Sequence, residues 1–427
     1  MQLNGPVLLY GAGREARSTR AYLSRQAPAA QVFVTVDSGA ADIDDATQIA
    51  PDEADRLVAR GALALIVKSP GVPLYKPFFA AAREAGIPVT SNLNLWGERY
   101  RAGRQVIAIT GTKGKSTTAT LTQLMLHHSG VDTGLAGNVG LAPLEIADKH
   151  PTIVFELSSY QTADIAFSPD LAGLTNLYPE HVDWHGSVER YYADKLNLFT
   201  RGPVELALGE QDGLLARIAA DLGPVRALRP LAPAVDEVIV DTVAGSRLRG
   251  AHNLGNARLA ARLAIAAGAT LDGIVAGVGA FAPLPHRLEE HRIGGLVFVN
   301  DSIATTPEAT KAALAAYRGY RIALIGGGHE RQQDYAELAT LLAPHGVTTL
   351  VCLPVTGARL AEATRSAAPH IEVIAAADLE EGMLTLGTLK NRFDAVILSP
   401  GAPSYNQFKN FEERGTRFVA LASQIFG

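Results

Sequence analysis

Short apolar runs, each closed by a glycine or polar turn and followed by a helical stretch, recur along this 427-residue chain. Pro6-Val7-Leu8-Leu9-Tyr10 leads into Gly11-Ala12-Gly13 and a helical stretch to about Gln26; Gln31–Val36 ends at Asp37, and Ala62–Lys68 ends in Ser69-Pro70-Gly71. A second series opens with Gln105–Thr110 and continues through Ile153–Leu157 and Leu171–Leu177. A third comprises Leu296–Asn300, Arg321–Ile325, Thr349–Leu353 and Ala395–Leu398. Runs of this length without polar alternation suit parallel strands covered on both faces, which need helical crossovers. The expected architecture is α/β in three doubly wound domains, Rossmann-like over 1–98 and 286–427; the glycine- and lysine-rich turn Thr110–Thr117 that closes Gln105–Thr110 makes the central one, over 99–285, phosphate-loop ATPase-like. Trp96–Arg104 reads as a polar basic linker and Pro283-Leu284-Pro285 as a hinge, while Pro203–Leu248 resists assignment.

Composition narrows the function. A hydrophobic share of 47% against 19% charged residues excludes wholesale disorder, and a net charge of −5 provides no global cationic field for nucleic acid. The one cysteine, Cys352, excludes an intramolecular disulfide and a multi-cysteine metal site; within Val347–Leu353 it reads as a buried, inert thiol. No apolar stretch approaches the ~18 residues a membrane span needs. No basic segment precedes Val7–Tyr10, so the expectation is a cytoplasmic protein with no membrane partner.

The sharpest local signal is Thr110-Gly111-Thr112-Lys113-Gly114-Lys115-Ser116-Thr117, between a strand and a helix with apolar residues at Leu121, Leu124 and Met125. Glycines let backbone N–H groups face an anion, and the helix N-terminus adds its positive dipole. Gly111, Thr112, Lys113, Gly114, Lys115, Ser116 and Thr117 are therefore candidate ATP-binding residues, with Lys115 on the β/γ-phosphates and Ser116 or Thr117 on Mg²⁺. The spacing is shorter than the commonest phosphate loop, and a glycine turn with a chance lysine is the bland alternative. Gly11-Ala12-Gly13, with Asp37 about twenty residues on, is compatible with a dinucleotide, another nucleotide or a bare turn. Arg14 and Glu15 crowd that turn.

Three further features carry chemistry. Ile153–Leu157 delivers Glu156 where a phosphate-loop enzyme needs a Mg²⁺ ligand, the alternative being a salt-bridged strand-end acid. In Asn176-Leu177-Tyr178-Pro179-Glu180-His181-Val182-Asp183-Trp184-His185-Gly186 the strand stops at Tyr178-Pro179, leaving Glu180 to His185 on a loop. His181 and His185 have i,i+4 spacing, but Pro179 and Gly186 argue against the helix a zinc pair would need. His181 joining Glu156 around a cation is the better reading. Lys195, in Arg190-Tyr191-Tyr192-Ala193-Asp194-Lys195-Leu196, reads on its own as a solvated helix charge.

Taken together, these residues resemble the Mur ligases of peptidoglycan synthesis, and within them the glutamate-adding MurD branch. The resemblance runs almost end to end. Beyond the motifs above it rests on Gly137-Asn138-Val139-Gly140, Glu156-Leu157-Ser158-Ser159-Tyr160-Gln161, His252-Asn253 with Asn256, Leu284-Pro285-His286-Arg287, Asn300-Asp301-Ser302, Leu398–Ser404 and Gln407–Gly415. It implies a UDP-N-acetylmuramoyl-L-alanine site in the first domain at Gly11, Gly13, Arg14, Glu15, Asp37, Ser69 and Gly71, joined by Asn138, Ser158 and Gln161. It adds Asn256, Arg287 and Asp301 to the ATP site. Lys115, His181 and Lys195 take the catalytic positions, and Ser116, Glu156, His181 and a carbamylated Lys195 the metal positions, with two Mg²⁺ sites. Carbamylation requires a neutral lysine. Thr305, Arg331, Ser404 and Phe411 fall at glutamate-binding positions. The implied protein is a monomer that phosphorylates the alanyl carboxylate with ATP and couples glutamate to the acyl phosphate.

The chain departs from the D-glutamate-adding pattern at two places. Ile303 stands where that branch has a lysine after Asn-Asp-Ser, so one charge-assisted contact to a carboxylate is missing. A second lysine is replaced within Gly326-Gly327-Gly328-His329-Glu330-Arg331, where Arg331 offers a bidentate fork instead. Both changes are more similar to the L-glutamate-adding relative, D-glutamate being the alternative substrate. Remoter alternatives are a folylpolyglutamate synthase-like ligase, which shares the ligase core, a non-catalytic nucleotide-binding regulator, and a nicotinamide dehydrogenase built on the first turn.

Overall fold

A computed structural model describes residues 5–427 except 38, 42, 210–221, 223–224, 247, 249, 283–284 and 331. Pro283 and Leu284 of the hinge reading, residues 210–221, 223–224 and 247 of the unassigned stretch Pro203–Leu248, and the Arg331 assignment therefore fall outside the described residues. The chain forms two compact units, 1–281 and 282–427.

The first unit holds two parallel sheets. One contains β1 (Val7–Tyr10), β2 (Val32–Thr35), β3 (Thr47–Gln48), β4 (Leu65–Lys68) and β5 (Val89–Ser91) in the order β3-β2-β1-β4-β5. The other contains β6 (Gln105–Thr110), β7 (Thr133–Gly137), β8 (Thr152–Glu156), β9 (Leu171–Leu174), β10 (Val204–Leu208) and β11 (Val225–Ala227) in the order β11-β10-β9-β6-β8-β7. In both, the strand that opens the sheet lies inside it, with strands added on either side. The resulting switch points open crevices at the carboxyl ends of β1 and β6, where ligands of such sheets bind.

The first part of Trp96–Arg104 is helix rather than linker, and only Arg101–Arg104 is a turn before β6. Ser91 caps the helix Asn92–Tyr100 by accepting from the Asn94 amide, and Trp96 on that helix is fully buried. Its ring meets Phe155 of β8 edge-on at 4.7 Å, and its Nε1 donates to the Ala147 carbonyl at 3.0 Å. One apolar cluster consequently runs from Val7, Val34 and Val67 of the first sheet through Trp96 to Val106, Phe155 and Leu206 of the second. Arg99 near its end, with Arg101 and Arg104 just beyond, masked an amphipathic helix whose apolar side faces inward.

The second unit carries β12 (Glu289–Ile293), β13 (Leu296–Asn300), β14 (Ile322–Gly327), β15 (Val347–Leu353), β16 (Glu372–Ala375) and β17 (Ala395–Leu398) in the order β12-β13-β17-β14-β15-β16. Only the β12–β13 pair is antiparallel among these strands. β12, reading Glu-Glu-His-Arg-Ile, is an edge strand too polar for the apolar-run criterion to find. The loops that leave β13, β17 and β14 are neighbours at one end of the sheet. Cys352 is buried in β15 and burial pushes its thiol up to about 12, as expected of an inert side chain.

Candidate functional site

The phosphate loop leaves the carboxyl end of β6, between β9 and β8. The helix Lys115–His128 begins at once, with no acidic residue in its first turn to offset the positive end of its dipole. Gly111 and Gly114 have φ of 138° and 85°. A side chain at Gly111 would overlap the Thr175 hydroxyl, and one at Gly114 would overlap the Asn256 amide, so both positions require glycine. The loop is braced by its neighbour strand: the Thr112 amide donates to the Asn176 carbonyl at 2.9 Å and the Lys113 amide to Asn176 Oδ1 at 2.8 Å. Thr112 Oγ1 and the Tyr191 hydroxyl lie 2.8 Å apart. Lys115 Nζ donates back to the Thr112 carbonyl at 2.7 Å, which keeps its charge over the loop.

Ser116 Oγ donates to Glu156 Oε2 at 2.9 Å and Asn138 Nδ2 to Glu156 Oε1 at 3.1 Å. This hydroxyl–carboxylate pair at a phosphate loop is an oxygen-donor set that fits Mg²⁺, which takes one or two protein carboxylates and completes its shell from phosphates and water. Among the described residues no three His, Cys, Asp or Glu groups cluster tightly enough to hold a metal by themselves. His181 has a left-handed backbone; its nearest charged partner is Glu180 at 3.7 Å, and its ring faces Tyr160 at 5.0 Å. Burial holds the imidazole below its usual range against the pull of Glu180, which favours the neutral form a ligand needs. Burial pushes Glu180 up, but the ammonium of Lys113, donating at 2.6 Å, outweighs it and holds the carboxyl below its usual range.

The stretch Glu180–His185 is not all loop: Val182–His185 makes one helical turn between Pro179 and Gly186. Lys195 is not a solvated charge. It is 1% exposed, lies 4.8 Å over the Tyr191 ring and donates from Nζ to the Gly111 carbonyl at 2.7 Å. Burial, reinforced by the charge of Lys115, holds its amine well below the usual lysine range. The neutral amine that carbamylation requires is thus favoured by its surroundings.

At the other crevice of this unit, Gly11 approaches Ser69 across the β1–β4 gap, and Gly13 caps the helix Arg14–Gln26. Arg14 donates to the carbonyls of Gly137, Asn138 and Gly140. Glu15 accepts from Gln161 Nε2 at 2.6 Å, while its other oxygen has no hydrogen-bond partner; burial pushes it up to about 7. Arg14, Glu15, Asn138, Ser158 and Gln161 therefore converge on one edge. Asp37 is held by the Tyr10 hydroxyl at 2.7 Å and by Lys76. The Gly71 carbonyl accepts from Trp184 Nε1 at 3.1 Å. Asn256 is buried near Gly114, with Nδ2 on Asn253 Oδ1 at 3.0 Å.

In the second unit Asp301, at the end of β13, accepts from Ser399 Oγ at 2.7 Å and from the Leu288 amide at 3.2 Å; burial pushes it up to about 7. Arg287 precedes that amide, and its buried Nε has no hydrogen-bond partner. The Thr305 carbonyl accepts from Gln333 Nε2 at 2.8 Å, Ser404 is buried, and the Phe411 carbonyl accepts from Ser302 Oγ at 2.8 Å. The loops carrying these residues are cross-linked by Arg414, fully buried, which donates to Ser302 Oγ, the Ser302 carbonyl and the Ala402 carbonyl. Asn176, Tyr191 and Arg414 escaped the sequence reading as site residues. Asn176 had a usable signal, a polar residue just past the apolar strand beside the phosphate loop.

A family model for the Mur ligase middle domain matches residues 109–214, and one for the Mur ligase, glutamate ligase domain matches 286–401. The chain is 37% identical to the UDP-N-acetylmuramoyl-L-alanine–L-glutamate ligase of Xanthomonas axonopodis pv. citri over 99% of this chain and 96% of that protein. It is 35% identical to the protein of the same name from a Micromonospora species, over 99% and 97%. Among solved structures, the MurF ligase from Thermotoga maritima in complex with ADP aligns at a TM-score of 0.58 and 14% identity, covering 99% of this chain and 95% of that one, a likeness of fold.

Proposed function

This chain belongs to the Mur ligase family, and we propose that it is the ATP-dependent ligase that joins L-glutamate to UDP-N-acetylmuramoyl-L-alanine in peptidoglycan precursor synthesis. A carboxylate does not condense with an amine in water because oxide is a poor leaving group. In the proposed reaction the alanyl carboxylate attacks the γ-phosphate of ATP, ADP leaves, and the glutamate amine displaces phosphate from the acyl phosphate.

Such phosphoryl transfer is mainly positioning and charge stabilisation. Gly111, Thr112 and Lys113 shape the loop, backbone amides from Gly114 to Thr117 cradle the phosphates, Lys115 neutralises the transferring group, and Asn256, Arg287 and Asp301 hold the rest of the nucleotide. Ser116 and Glu156 would hold one Mg²⁺, and His181 with a carbamylated Lys195 a second, each supplying positive charge to the phosphates. Arg14, Glu15, Asn138, Ser158 and Gln161 orient the UDP-sugar, with Gly11, Gly13, Asp37, Ser69 and Gly71. Thr305, Arg331, Ser404 and Phe411 hold glutamate. We assign residues 1–98 to UDP-sugar binding, 99–285 to ATP and 286–427 to glutamate, in a cytoplasmic monomer.

The observation that carries this reading is the convergence of Lys115, Ser116, Glu156 and the buried amine of Lys195 around one loop. For the L enantiomer, Ile303 removes a cation from the pocket, and the relatives quoted above carry L-glutamate in their names. Purified enzyme given UDP-N-acetylmuramoyl-L-alanine, ATP and each glutamate enantiomer separately should form dipeptide product with the L form. Product with the D form alone overturns the enantiomer assignment; no ADP release with either overturns the ligase.

A further inference from the structure

His185 has no part in the phosphate or metal chemistry described above, yet both of its ring nitrogens are hydrogen-bonded. It is 1% exposed, with Nδ1 at 2.6 Å from Asp194 Oδ2 and Nε2 at 3.0 Å from Ser159 Oγ. The Tyr75 hydroxyl donates to the other oxygen of Asp194. Asp194 as a carboxylate only accepts, so Nδ1 carries a ring proton, and in the neutral imidazole Nε2 then accepts from the Ser159 hydroxyl. The four side chains form a directional chain, Tyr75 to Asp194 and Ser159 to His185 to Asp194. Trp184 at 4.4 Å, Tyr191 at 5.2 Å and Tyr160 at 5.8 Å wall the ring in.

The two arms of the imidazole end at different places. Asp194 immediately precedes Lys195, whose Nζ reaches the Gly111 carbonyl. Ser159 immediately follows Ser158, in the capped turn that carries Gln161 to Glu15. Although Ser, His and Asp line up as in a nucleophilic triad, Ser159 is 3% exposed and no substrate carbonyl can reach its hydroxyl. A buried polar chain is worth its desolvation where it fixes one geometry.

Building on the ligase reading, we propose that His185 is a positioning residue that sets Lys195 and the Ser158–Gln161 turn relative to each other, one through each ring nitrogen. His185→Asn keeps an amide donor near the Nδ1 position for Asp194 and loses the acceptor for Ser159. His185→Gln keeps an acceptor near the Nε2 position for Ser159 and loosens Asp194.

The test compares both variants, with Ser159→Ala as a milder cut of the same arm as His185→Asn, against wild-type full-length enzyme. It measures steady-state ADP formation and hydrogen exchange of residues 156–162 and 188–196. His185→Gln should lower kcat at least tenfold, hold KM for the UDP-sugar within twofold and speed exchange in 188–196. His185→Asn and Ser159→Ala should raise that KM at least fivefold, hold kcat within threefold and speed exchange in 156–162. A shared pattern in which all variants lose kcat/KM and protection in both segments together, or constants and exchange all within twofold of wild type, overturns the proposal. If the wild type makes no ADP, the ligase reading fails, and the split in exchange alone decides the positioning role.

Discussion

Lys195 Nζ donates to the Gly111 carbonyl at 2.7 Å, so the side chain proposed to be modified and the first residue of the phosphate loop are fastened to each other. Burial, reinforced by the charge of Lys115, holds this amine well below the usual lysine range and so favours the neutral state that reacts with CO₂. Replacing it with arginine, which stays charged in any protein environment, removes that chemistry. Lys195→Arg should lower kcat about 100-fold or more, the usual scale for losing preorganised charge at a transferring group. In ¹³C-bicarbonate the wild type should show a carbamate resonance that the variant lacks; its absence from the wild type removes the assignment.

Lys115→Ala strips the loop of the ammonium that donates to the Thr112 carbonyl. Turnover should fall by about 100- to 1,000-fold with the fold retained, read as kcat alongside circular dichroism. Near-normal turnover would contradict the phosphate-loop role.

Gly114→Ala places a methyl group into the Asn256 amide at a φ of 85°. The loop must shift, so KM for ATP should rise at least tenfold, by an order-of-magnitude argument from misplaced binding groups. KM for glutamate is the internal control and should not follow.

Glu15 is buried with a pKa pushed up to about 7, well above its value in an unfolded chain. The folded state therefore binds the proton more tightly, and the stability this contributes is full below about pH 4.5 and lost as pH rises through about 7. Glu15→Gln, neutral throughout, should gain on the wild type in Tm as pH increases from 5 to 8. A Tm difference that is flat over that window would refute the shift.

Arg414→Met removes donors to Ser302 Oγ, the Ser302 carbonyl and the Ala402 carbonyl in a fully buried place. Leaving those acceptors unsatisfied should cost about 2–4 kcal/mol, measured by denaturant unfolding. KM for glutamate should rise as the loops of β13 and β17 part, and KM for the UDP-sugar should not.

The long parallel strands and the phosphate loop were legible because their signals are local: an apolar run, a glycine, a helix start. Ordered motifs placed Glu156, His181 and Lys195 in one family pattern. What local reading missed depends on contacts distant in sequence. Lys195 looked like any helix lysine until Gly111, 84 positions away, was brought against it. Val182–His185 makes a turn between two breakers because His185 finds Asp194 and Ser159. Arg414 gave no sign that it would be buried, since only the folded loops supply its acceptors. β12 stayed hidden because an edge strand pairs through its backbone and leaves its side chains polar.

The indole of Trp96, seated on Phe155, makes the first sheet and the second sheet share a single interior. The N-terminal quarter is for that reason a poor candidate for modular exchange. Grafting another nucleotide-binding module in its place would have to rebuild the seam side chain by side chain, and severing the chain just before β6 would bare greasy surface on both fragments.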